Sequence, residues 1–202
     1  MERREAVGAQ ECLWPRRRFN GGRHGLPLCT VAQSVPVLPQ LGGKCAGGHI
    51  RDAGDFLEDL RSGRLPQVSI IKASGAHDEH PADSAPAWGI EWVMQHLRGL
   101  GNNPLWEKTA VVITYDEGGG FWYHVAPPQI DSYGCGTRIP ALLVSPWARR
   151  GYVDHRFATS ASVLALIEAR FGLKPLQKRD AEAYDMLEGL DFTQTPREPI
   201  FG

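Results

Sequence analysis

Residues 109–120 read Thr109-Ala-Val-Val-Ile-Thr-Tyr-Asp-Glu-Gly-Gly-Gly120. The first seven are a β-branched apolar run of the kind that forms a buried strand. The strand ends in two adjacent carboxylates, Asp116 and Glu117, and three glycines follow at once. In an open α/β sheet, ligands sit beyond the carboxyl ends of the strands. Two hard oxygen donors at that place, on backbone free to bend, make a corner for a divalent metal ion. The same residues, out of context, also serve as a turn cap or a pair of surface charges. His124, a few residues on, is placed to meet an anionic group.

Upstream, Asp55–Leu60 has the pattern of a short amphipathic helix ended near Gly63, and Gln67–Lys72 reads as a strand. Turn residues and two histidines follow it in Ser74-Gly-Ala-His-Asp-Glu-His-Pro81. Pro86 suits a first helical turn. Ile90, Val93, Met94 and Leu97 then fall on one helical face, with Gly99 as the stop and His96 on the polar side. Strand, helix and strand in that order form a βαβ unit, which implies a parallel sheet with a right-handed crossover.

The Gly- and Pro-rich stretch 118–138 is long enough to be functional or disordered. Arg138 closes it, placed either to clamp an anion or to fix the loop. Ile139–Ser145 is a further apolar strand. Thr159 or Ser160 caps a helix whose face is Val163, Leu164, Ile167 and Phe171, ended by Gly172. Asp180–Leu187 reads as a shorter helix.

The chain has 202 residues, 42% hydrophobic and 22% charged, with a formal net charge of −1. That composition suits one globular domain or a large part of one. It gives no general electrostatic reason to bind nucleic acid. No apolar run is long enough for a transmembrane helix. Residues 1–50 differ in texture, with seven basic against three acidic residues and three of the four cysteines (Cys12, Cys29, Cys45). Arg16-Arg-Arg-Phe19 resembles part of a twin-arginine export signal, but the stretch 26–38 is broken by prolines. The segment reads as a poorly ordered or non-native lead-in, with the sequence of a mispredicted start or a shifted frame. The expected organisation is therefore 1–50 lead-in, 51–192 folded domain and 193–202 loose tail.

Several ordered blocks carry a family resemblance. They include Gly63–Ser69, Asp78-Glu-His-Pro81, Thr114–Gly120, His124-Val125 with Pro127-Pro128, and Gly136-Thr-Arg-Ile-Pro140. Ser145–Arg149, Ser162–Leu164 with Ile167-Glu168, and Arg179–Ala181 complete the set. From about Phe56 to Phe192 the chain resembles the C-terminal half of the bacterial phosphoesterase family of phospholipases C and acid phosphatases, in the alkaline-phosphatase-like superfamily. The resemblance implies a three-layer α/β/α fold with a mostly parallel sheet. It implies hydrolysis of a phosphate ester or phospholipid through a Ser or Thr nucleophile, assisted by a divalent metal ion. By position, Asp116 and Glu117 would bind the metal, while His80 and His124 would face the phosphate or the leaving oxygen.

Family members are often exported. Two departures stand out. Tyr123 occupies the place where the family usually has Asp before the histidine, and tyrosine supplies no carboxylate at neutral pH. No block matches the family's N-terminal Glu-Asn metal motif or its nucleophile. The sequence thus leads to two expectations: a metal-dependent phosphoric ester hydrolase present as a fragment, or a non-catalytic remnant that at most binds metal or phosphate. A truncated parallel sheet would leave Val111, Ile113 and Leu143 at open apolar edges.

Overall fold

A computed structural model describes residues 28–33 as backbone, and 51–121 and 123–201 with their side chains. The arginine run at 16–18, Cys12 and Cys45 lie outside the described residues. The chain is mixed α/β. Its elements are β1 (Leu28–Gln33), α1 (Ala53–Arg61), β2 (Val68–Ile71), α2 (Pro86–Gly101), β3 (Ala110–Tyr115), β4 (Ala141–Val144), α3 (Ser160–Phe171) and α4 (Lys178–Ala181). Two compact units separate: residues 156–186, and the remainder of the described chain.

The larger unit holds a four-stranded sheet in the order β2-β1-β3-β4. β2 and β3 both run parallel to β1, so the expected strand–helix–strand crossover exists but skips one strand. That middle strand comes from the segment expected to be a lead-in. Its short, proline-flanked run has no diagnostic period, yet it bonds to a neighbour on either side. β4 is antiparallel to β3, with Thr114 opposite Ala141 and Val111 opposite Val144. β3 is therefore interior. Val111 is 1% exposed rather than opened at an edge; the exposed strand residues are instead Ile70 and Leu142 on the two outer strands.

In-register residues share a sheet face, because side chains alternate along each strand. Ile71, Val111, Ile113 and Val144 lie on one face, and α1 and α2 pack there through Phe56, Leu60, Val93, Leu97 and Leu100. Asp52 and Asp55 form the capping box of α1, and Ser62 with Gly63 (φ 69°) ends it, near the expected stop. The tail expected to be loose makes specific contacts. Trp106 Nε1 donates to the Arg197 carbonyl at 2.8 Å, and the Trp106 and Phe201 rings meet edge to face at 5.3 Å.

Helix α2 is rotated from its expected face. Its buried residues are Gly89, Val93, His96, Leu97 and Leu100, whereas Ile90 is 58% exposed. The helix also passes Gly99 and stops at Gly101. His96, expected to be solvated, is 5% exposed. Its ring lies against Trp92 and Phe56. Its Nδ1 lies 2.7 Å from the Trp92 carbonyl and must donate, since a carbonyl oxygen only accepts.

In the smaller unit, Thr159 caps α3 by accepting from the Ala161 N–H, and Gly172 (φ 63°) ends it. The most buried α3 residues are Ser162, Ala165, Leu166 and Glu168, displaced from the expected face. The expected helix at 180–187 is shorter and earlier: α4 ends at Ala181.

Two predictions follow from the core. Leu100→Ala should lose about 2–5 kcal/mol in urea denaturation, while Ile90→Ala should stay within about 0.5 kcal/mol; equal losses would contradict the rotated face. Burial holds the His96 pKa below its ordinary 6.5, against a smaller opposing effect of the Trp92 carbonyl. Its contribution is therefore present above pH 6.5 and lost as pH falls through the depressed value. His96→Phe should flatten that acid loss in urea melts at stepped pH; an unchanged slope would contradict it.

Candidate active site

Strand direction gathers the site. β2 and β3 are parallel, so their carboxyl ends lie at one end of the sheet. β4 is antiparallel to β3, so its amino end returns there too. The three adjoining segments, Asp78–His80, Tyr115–Gly119 and Thr137–Pro140, line one cavity of about 340 Å³, together with Phe121 and Tyr123.

The first segment is tightly built. Asp78 Oδ1 accepts from the His80 N–H at 2.9 Å and from Ser84 Oγ at 3.1 Å, while Ser84 Oγ also accepts from the Glu79 N–H at 2.8 Å. The His80 N–H, as the largest cause, holds the Asp78 carboxyl below its usual range. Glu79 adopts a left-handed backbone (φ 62°), a strained conformation for a residue with a side chain. Its buried carboxylate accepts a hydrogen bond from the Tyr115 hydroxyl. Burial, reinforced by that bond, pushes the Tyr115 pKa up to about 12. Gly89 of α2 provides the space: a Cβ there would sit 2.3 Å from Glu79 Cγ.

Of the expected site residues, His80, Asp116 and Glu117 line the cavity. His80 Nδ1 lies 2.7 Å from the Pro81 carbonyl, so Nδ1 donates and Nε2 of the neutral ring carries the lone pair. His124 is exposed, is not among the lining residues, and stands beside the Tyr123 ring at 5.2 Å between centroids. Asp116 Oδ1 accepts from the Glu117 N–H at 3.0 Å, and the chain then turns through Gly119 and Gly120, both at positive φ. Four carboxylates (Asp78, Glu79, Asp116, Glu117) face one arginine, Arg138, in this lining. Such oxygen donors suit a hard cation. The set is incomplete as a metal cage, however: among the described residues no three His, Cys, Asp or Glu side chains converge to hold an ion.

Sequence marks Tyr123 only as a departure from the family pattern, and does not single out Glu79 or Tyr115 as a site residue. The Asp-Glu-His-Pro block contains Glu79, and its turn residues were the available signal.

A match to the Phosphoesterase family covers residues 26–174, starting ahead of the expected Phe56 and taking in β1. The chain is similar to a non-hemolytic phospholipase C of Burkholderia pseudomallei, at 40% identity over 76% of this chain and 25% of the relative. It is 32% identical to a non-hemolytic phospholipase C of Pseudomonas aeruginosa, over 70% of this chain and 26% of the relative. It is 30% identical to non-specific phospholipase C6 of Arabidopsis thaliana, over 70% of this chain and 34% of the relative. The chain thus spans about a quarter to a third of the length of these curated relatives.

The Glu79 pocket makes a test. Gly89→Ala gains helix propensity of up to about 1 kcal/mol, but it expels a buried carboxylate and strands the Tyr115 hydroxyl. The net expectation is a loss of about 1–3 kcal/mol in denaturant melts. In a Glu79→Ala background the same change should be neutral or stabilising. A loss of equal size in both backgrounds would show that Glu79 is not what fills the space.

Proposed function

The chain belongs to the Phosphoesterase family, and on that premise we propose that it supplies one wall of a metal-dependent phosphoric ester hydrolase of the phospholipase C and acid phosphatase type. The observation that carries this reading is the convergence of Asp116, Glu117 and His80 on one cavity at the carboxyl ends of two parallel strands. The names of the relatives point to a phospholipid or related phosphate ester as substrate. For the fold we propose the three-layer alkaline-phosphatase-like arrangement.

In this reading Asp116 and Glu117 are two oxygen ligands of a divalent cation. A bound cation of this kind neutralises phosphoryl oxygens and acidifies a coordinated hydroxyl or water. In this reading His80, its Nδ1 held at the Pro81 carbonyl, gives or takes a proton at the leaving oxygen through Nε2. His124 lies outside the lining, beside Tyr123, and its assignment to the phosphate rests on the family resemblance alone. The Ser or Thr nucleophile implied by the family resemblance has no counterpart among the matched blocks, so hydrolysis needs a longer chain or a complementing one. The two-carboxylate donor set favours a second reading, a non-catalytic remnant that at most binds metal or phosphate.

Hydrolysis of a chromogenic phosphate ester separates the two. With a complementing chain that carries the nucleophile block added, the first reading expects turnover that requires added divalent metal and falls about 100-fold or more in Asp116→Asn. No turnover of that mixture across several metals, with metal or phosphate still bound by this chain, would favour the remnant.

A further inference from the structure

We propose that Arg138 is the anion-binding side chain of this cavity, presented to a phosphoryl group by the face of Tyr123; the inference rests on the phosphoester reading above. The Arg138 guanidinium carbon stands 4.8 Å from the Tyr123 ring centroid, and both residues line the cavity. Arg138 is exposed, and no described carboxylate lies within ion-pairing distance of it, although four carboxylates line the same space. Arg51, Arg61, Arg64 and Arg98 each pair with a nearby Asp or Glu, whereas Arg149, Arg156 and Arg170 also lie over aromatic rings; Arg138 is the arginine in this cavity's lining.

The mode of holding is what gives the arginine its use. A carboxylate partner would engage the edge of the guanidinium and neutralise it. An aromatic ring engages its face, leaving both the positive charge and the in-plane N–H donors available. Those donors form the fork that matches two oxygens of a phosphate.

The Tyr123 hydroxyl supports this reading, being buried with no hydrogen-bond partner among the described residues. The position therefore uses the ring and not the polar tip. Topology supplies the placement. β4 begins three residues after Arg138, and Thr137 approaches so closely that a Cβ on Gly118 would lie 2.4 Å from its Oγ1. Arg138 is thus brought to the strand end that carries Asp116 and Glu117. A cation among those acidic groups offsets the repulsion a phosphate would otherwise meet.

The test is equilibrium binding of inorganic phosphate to the full chain, with and without Mn²⁺, alongside circular dichroism and thermal melts. Arg138→Gln should weaken phosphate at least about tenfold while leaving Mn²⁺ affinity and melting unchanged. Arg138→Lys, which keeps the charge but loses the planar fork, should fall between. Tyr123 is a positioning residue, so Tyr123→Phe should bind phosphate within about twofold of wild type, and Tyr123→Leu should lose severalfold despite an unchanged melt. Wild-type phosphate affinity in Arg138→Gln would overturn the proposal, as would no phosphate binding by the wild type under either condition. With a complementing chain that carries the nucleophile block present, ester hydrolysis with unchanged KM in Arg138→Gln would sink this inference and leave the phosphoesterase reading standing. Arg138-dependent phosphate binding with no hydrolysis by that mixture would do the reverse.

Discussion

The hydrogen bond from Tyr115 to Glu79 ties together the two strand ends on which the cavity depends. Tyr115 is the last residue of β3, and Glu79 sits in the loop after β2. These strands are not neighbours, since β1 lies between them. The side-chain bond therefore spans the top of a strand that neither partner belongs to. The strained backbone of Glu79 is held by the Ser84 and Asp78 contacts, and the missing side chain of Gly89 leaves room for its carboxylate. A charge buried without such partners would cost several kcal/mol, roughly. Here the phenol, at a pKa of about 12, remains a donor throughout the physiological range.

The reversed direction of β4 is the second constraint. A parallel fourth strand would begin at the opposite end of the sheet and carry Arg138 away from Asp116 and Glu117. The antiparallel ladder, with Thr114 facing Ala141, instead folds the long Gly- and Pro-rich loop back on the strand end it left. The mixed sheet therefore supplies acidic groups from β3, a histidine from the β2 loop and a cation from the β4 approach.

Some of this could be read directly from the residues. β3 was legible because its β-branched run is buried in the sheet interior, and Asp116-Glu117 because a paired carboxylate stands where a strand meets glycines. His80 was legible through its block of turn residues. What stayed hidden depended on tertiary partners. β1 has no periodic signature and is defined by the ladders on both its edges. The face of α2 could not be fixed by hydropathy, because Ile90 faces outward while Gly89 and His96 face inward; one is small and the other stacks on Trp92 and Phe56. The role of Tyr123 needed the position of Arg138, fifteen residues away, and no pattern within either segment carries it.

The cavity is rich in carboxylates and holds one permanent cation among its lining residues, an imbalance that a divalent ion would correct. The most direct measurement is anomalous X-ray diffraction from crystals of the full chain grown with Mn²⁺ and phosphate. Manganese on Asp116 and Glu117, with phosphate between the ion and Arg138, is the predicted result. Manganese bound elsewhere, or a cavity holding neither ion at millimolar concentrations, would contradict a phosphoryl site at this end of the sheet.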